Sequence, residues 1–157
     1  MRGPDRAAQV ASAYWETLTG EAEAIAEEFE EDGWETLVVH PGSVTAVHEH
    51  DRCGLDVLIP GNEYEPLAAL VEERGLSFPS SEVYAREEGD VVLLVVVMRD
   101  PEDETAVVFP AYYDREETEE TFERATEEGS FRTYLRKLDG ETVVFSHDDP
   151  SIFRPEQ

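Results

Sequence analysis

The sequence predicts an α+β domain: an antiparallel sheet carrying about three helices. Three observations predict it. Over residues 5–31 the apolar residues Val10, Trp15, Leu18, Ala22, Ile25 and Phe29 recur mostly three or four apart, the period of one helix face. From residue 34 onward the apolar segments shorten, and Gly and Pro separate them as turns separate strands. VVLLVVVM at 91–98 is apolar on both faces, as expected of a strand inside a covered sheet.

The elements follow in order. Helix 5–31 has Gly20 as a weak point and Gly33 as a C-cap. WETLVV at 34–39 reads as a strand, HPGS as a turn and VTAVH at 44–48 as a second strand. After HEHDRCG, LDVLIP at 55–60 reads as a third strand ended by Pro60. EYEPLAALVEER at 63–74 reads as a short helix with Pro66 in its first turn and Gly75 closing it. EVYAREE at 82–88 and the strand at 91–98 flank Gly89-Asp90, which suits a type II′ hairpin. TAVVF at 105–109 follows, with Pro110 placing its end there or marking an edge. Residues 114–128 read as a very acidic third helix. A last hairpin joins 131–138 to 141–147 through a two-residue turn, Asp139-Gly140. The order resembles the profilin-like or roadblock-like arrangement plus a C-terminal hairpin. This bears on fold and not on function.

At 157 residues the chain fits one domain, 1–157, with 148–157 as a C-terminal tail. There are 38 Asp and Glu against 12 Lys and Arg, for a net charge of −26, and Lys137 is the only lysine. The acids run along the whole chain instead of forming one tail. Such a chain repels itself in dilute salt, whereas molar salt shortens the screening length to about 3 Å. The composition therefore predicts adaptation to concentrated salt. In that setting net charge does not exclude nucleic acid, and only local basic clusters count. A single cysteine permits no intrachain disulfide and suits a reducing cytosol. The longest apolar run has eight residues, too few to cross a bilayer as a helix. The first fifteen residues lack the continuous apolar stretch of a signal peptide. The expectation is a soluble cytoplasmic protein with no membrane partner.

GWETLVVHPGSVT (33–45), GLDVLIPGNEYE (54–65), LLVVV (93–97), PAYYD (110–114), TYLRKL (133–138) and VVFSHDDPSIF (143–153) together resemble a haloarchaeal family of small acidic domains of unknown function. The resemblance runs from about residue 20 onward. It implies a halophilic archaeal origin and a single small domain. It implies no activity, and it carries over no catalytic residue.

Two stretches carry candidate chemistry. In HEHDRCG, His48, His50 and Cys53 offer two imidazoles and a thiolate, natural zinc ligands that leave a fourth position open. Recognised zinc patterns have two separated ligand pairs, and this chain has one cluster. The favoured reading is a polar connection with Cys53 packed as a small hydrophobe. In FRTYLRKL, Arg132, Tyr134 and Arg136 share one strand face. Across a two-residue turn they would oppose His147, Phe145 and Val143. Arginines beside aromatics on a sheet are a means of holding phosphates or single-stranded nucleic acid. The favoured reading has Tyr134, Val143 and Phe145 facing the core and the arginine stems reaching out to the acidic helix. The opposite face, with Phe131, Leu135 and Val144, reads equally well as core. Tyr112, Tyr113, Trp15 and Trp34 read as core aromatics.

No G-x-S-x-G, P-loop, G-x-G-x-x-G, H-E-x-x-H or C-x-x-C is present. The first functional expectation is therefore a non-catalytic binding or regulatory domain acting through an unidentified protein partner or a homodimer, without a cofactor. Two alternatives stand beside it. One is a zinc-binding protein or enzyme built on His48, His50 and Cys53. The other is an RNA- or anion-binding module built on Arg132, Tyr134 and Arg136.

Overall fold

A computed structural model describes residues 6–49 and 51–155. Helix α1 (Arg6–Glu31) leads into β1 (Glu35–Val38), β2 (Ser43–Val47) and β3 (Gly54–Leu58). Helix α2 (Gly61–Ala68) widens into a π-helical stretch, Ala69–Glu73. Strands β4 (Ser80–Glu88), β5 (Val91–Asp100) and β6 (Thr105–Asp114) precede α3 (Glu119–Glu128). Strands β7 (Phe131–Arg136) and β8 (Thr142–His147) and a 3-10 turn, Pro150–Phe153, finish the described chain.

The class is α+β, with three α-helices among the described residues. The strands, however, form two mixed four-stranded sheets, not one antiparallel sheet. Sheet I runs β1-β6-β5-β4 and sheet II runs β2-β3-β7-β8. Each contains one parallel pair, β1 with β6 and β3 with β7. Both pairs join strands distant in the sequence, so local turn signals carry no trace of them.

Helix α1 lies across β1, β6 and β5 and buries Ala11, Leu18, Ala22 and Ala26. The small alanines bring the helix close to the sheet. Sheet II covers the other face of sheet I. Phe145 of β8 meets Phe78 edge-on at 5.7 Å, and His147 reaches Ser81 of β4 at 3.0 Å. Strand β5 is thus covered on both faces, as its composition predicts. Phe122 of α3, Phe131 of β7, Phe153 and Tyr113 close one end of the sandwich as a ring stack.

Several boundaries differ from the sequence reading, each for a local reason. Strand β6 runs through Pro110 to Asp114. The Val39 N–H donates to the Val108 carbonyl at 3.0 Å, so even-numbered residues of β6 turn their backbone toward β1. Pro110 lacks the N–H that would next meet the Val39 carbonyl, so the ladder with β1 closes at the Val39–Val108 bond while β6 continues along β5. Helix α2 begins at Gly61, two residues early, which puts Pro66 inside the helix. The last hairpin differs most. Lys137 N–H donates to the Glu141 carbonyl at 3.1 Å, leaving a three-residue loop, Leu138-Asp139-Gly140, with Gly140 at φ +98°. The register moves by one residue: Tyr134 opposes Val144, and Thr133 opposes Phe145. A one-residue slip exchanges the two faces of a strand. Phe131, Thr133, Leu135, Val143, Phe145 and His147 therefore face inward, and Arg132, Tyr134 and Arg136 share the outward face with Thr142, Val144 and Ser146. Val143 and Phe145 are core as favoured, but Tyr134 is not on their side.

Candidate functional site

The outward face of sheet II is the place where the sheet meets solvent. Across it, β2 presents Thr45 and Val47, β3 presents Asp56 and Leu58, β7 presents its two arginines and Tyr134, and β8 presents Thr142, Val144 and Ser146. Apart from Tyr134, these positions are exposed or partly buried.

Gly54 brings the parts together. Its φ is +149°, and a Cβ there would lie 1.7 Å from the Arg132 carbonyl oxygen. Only glycine lets the two backbones approach so closely. The contact is sealed by Arg132 N–H donating to the Cys53 carbonyl at 2.9 Å. This docks Cys53 against β7. The Cys53 N–H then donates to the Tyr134 hydroxyl at 2.9 Å, and the Arg52 guanidinium lies 4.7 Å above the Tyr134 ring.

Asp56 stands at the centre of a charge cluster. Its Oδ2 accepts from Arg52 at 3.1 Å and its Oδ1 from Arg136 at 2.7 Å, while its side chain is only 12% exposed. Arg132 differs from both. Its guanidinium donates to the Asp51 carbonyl at 3.3 Å and pairs with no carboxylate among the described residues. A planar guanidinium has five donors, so Arg132 retains capacity for an incoming carboxylate or phosphate. At the end of the strand Lys137 donates to Glu65 at 2.8 Å. The predicted trio Arg132, Tyr134 and Arg136 is thus brought together on one face, joined by Arg52 and Asp56. Those two were not foreseen as partners of the trio, because the parallel β3–β7 pairing that aligns them leaves no local signal.

The Tyr134 ring is no free stacking platform. It is 6% exposed, covered by Arg52, with its hydroxyl committed to the Cys53 N–H. Phe145, expected beside it, points into the core.

The second candidate cluster is arranged differently. His48 meets α3 through both ring nitrogens, Nε2 to Glu120 at 3.0 Å and Nδ1 to the Thr121 hydroxyl at 3.3 Å. The Cys53 thiol is fully buried and donates to the Thr121 carbonyl at 3.2 Å. Burial pushes that thiol up from its ordinary pKa, which disfavours the thiolate. His50 lies outside the described residues. Among those described, no three His, Cys, Asp or Glu side chains are grouped to hold a metal. Among the described residues no helix is long and apolar enough to cross a membrane. Tyr112 and Tyr113 are core, as predicted: Trp15 meets Tyr112 edge-on, and the Tyr113 hydroxyl donates to the Phe153 carbonyl at 2.8 Å.

Fold and site together define a two-sheet α+β domain, helix-covered on one side and presenting an arginine-bearing sheet face on the other. The chain belongs to a family of unknown function, DUF7529, whose model matches residues 3–155. No curated protein and no solved structure matches it.

Proposed function

We propose that this is a non-catalytic binding domain, adapted to concentrated salt in an archaeal cytoplasm, that engages an acidic segment of a partner protein through the outward face of sheet II. The reading rests mainly on Arg132. It is a half-exposed guanidinium without a carboxylate partner among the described residues, in a chain with 38 acids. Around it, Arg52 and Arg136 hold Asp56 and present a fixed, partly neutralised surface, with Val144 as an apolar neighbour. An extended acidic segment would find donors for its carboxylates at Arg132 and apolar contact along Val144. Nucleic acid fits less well, since it would have neither an aromatic ring to stack on nor a field free of Asp56.

The test is fluorescence anisotropy at molar potassium chloride with two probes, an Asp/Glu-rich peptide and a single-stranded oligonucleotide. The peptide is expected to bind saturably, and Arg132→Glu to weaken it at least tenfold. Binding of the oligonucleotide but not the peptide would support the RNA- or anion-binding reading instead. If neither binds, this face is not the site.

A further inference from the structure

We propose that β8 is the seam of a homodimer, in which two copies pair their β8 strands antiparallel about a two-fold axis at Val144. This surface is the open edge of sheet II; it adjoins the face assigned above and shares Val144 with it.

The sequence of β8 is TVVFSH, six residues without a charge in a chain of net charge −26. Its first four residues, Thr142 to Phe145, are strong strand formers. Natural sheets ordinarily protect such an edge with charged residues or a covering segment. The other edges of this molecule follow that rule. β4 carries Glu82, Arg86, Glu87 and Glu88, and β1 carries Glu35. On β2, the Val44 N–H is taken by the Tyr112 hydroxyl at 3.4 Å. β8 pairs with β7 on one side, and on its other side no backbone partner is found among the described residues.

The register fixes which groups are free. Arg132 N–H points to β3, and so does the Arg136 carbonyl, which accepts from the Ile59 N–H at 2.8 Å. Phe131, Thr133 and Leu135 must then point to β8, where they oppose His147, Phe145 and Val143. The backbone groups of Thr142, Val144 and Ser146 are left facing the open edge. A second β8 satisfies all of them in one register. Val144 opposes Val144 of the other copy, and Thr142 opposes Ser146. Three N–H groups on each strand then find carbonyls, giving six hydrogen bonds across the seam. The same register places outward side chains beside outward ones and sets the two Val144 side chains, each 48% exposed, against each other.

Charge selects the same place. Two copies of so acidic a chain repel each other, and an uncharged edge is where they approach at least cost. The flanking acids, Glu141, Asp148 and Asp149, make the association stronger in molar salt than in dilute salt. The two-fold axis stands perpendicular to the sheet, so both arginine-bearing faces come to lie on one side of an eight-stranded sheet.

The experiment is sedimentation equilibrium of the full chain at molar potassium chloride, with Val144→Lys as the variant. The expected result is a particle of twice 17.7 kDa for the natural chain and a monomer for the variant, which still unfolds cooperatively but at a lower midpoint, because pairing stabilises the folded chain by mass action. An introduced cysteine reads the register independently of that variant's fold, because the native Cys53 is buried. A short bifunctional thiol reagent is expected to link Val144→Cys to itself. Thr142→Cys, whose two thiols would stand about 14 Å apart, is expected not to link. A monomeric natural chain, a dimeric Val144→Lys, or equal cross-linking of both cysteine variants would overturn the proposal.

Discussion

His147 is buried neutral between the two sheets, and acid titration reads its cost directly. The ring is 3% exposed, with Nδ1 3.0 Å from the Ser81 hydroxyl, Nε2 3.1 Å from the Thr133 hydroxyl, and the Phe153 ring edge-on at 4.9 Å. A hydroxyl can donate or accept, so hydrogen bonding does not itself forbid the imidazolium. Desolvation does: burial lowers the pKa from 6.5 to about 4, with the Asp148 carboxylate opposing in part. In the unfolded chain the ring takes its proton near pH 6.5, while the folded protein refuses it until about pH 4. Stability is therefore fully present above the unfolded value and falls as the pH drops from 6.5 toward 4. The drop from 6.5 to about 4 corresponds to a loss of roughly 3 kcal/mol by pH 4. The assay is denaturant unfolding of the natural chain and His147→Gln at a series of pH values in molar potassium chloride. The many carboxylates titrate alike in both proteins, so the difference isolates His147. The advantage of the natural chain over the variant should shrink by roughly 3 kcal/mol between pH 7 and pH 4. A difference that stays flat across that range would refute the argument.

Other predictions follow from the site. Gly54→Ala forces a Cβ into the Arg132 carbonyl and a left-handed φ on alanine, and is expected to cost at least about 3 kcal/mol of unfolding free energy, or to prevent folding. Tyr134→Phe leaves the Cys53 N–H without its acceptor and is expected to cost about 1–2 kcal/mol by the same denaturant measurement. Cys53 should react with a thiol reagent only after unfolding, because its thiol is buried and its pKa raised. Protein purified without chelator should hold far less than one equivalent of zinc, with no change in His48→Ala/Cys53→Ser. One equivalent, lost in that variant, would favour the metal reading.

The fold was legible in the sequence wherever a signal is local. The three-to-four spacing in 5–31 identified α1, the doubly apolar run identified β5, and Gly89-Asp90 identified the β4–β5 turn, where Gly89 has φ +65°. The pairings of distant segments were not legible. Nothing in 33–40 or 54–58 announces a parallel partner some seventy or eighty residues away, so two sheets read as one. The arginine trio could be named from strand alternation alone, because Arg132, Tyr134 and Arg136 share a face in any register. Which face that was depended on one loop residue. Leu138 reads as the end of a strand, yet it stands at the tip of the loop, 86% exposed. Counting it into the strand placed Phe145 beside Tyr134 and hid the true neighbour, Val144.

The central claim is that the outward face of sheet II binds an acidic protein segment, and amide chemical-shift mapping tests it most directly. The isotopically labelled full chain is titrated with the Asp/Glu-rich peptide at molar potassium chloride. The account predicts that the saturating shifts cluster at Arg52, Asp56, Arg132, Tyr134, Arg136 and Val144 and leave α1 and β5 unmoved. Shifts confined to α3 and the His48–Cys53 loop, or no saturable shift at all, would contradict it.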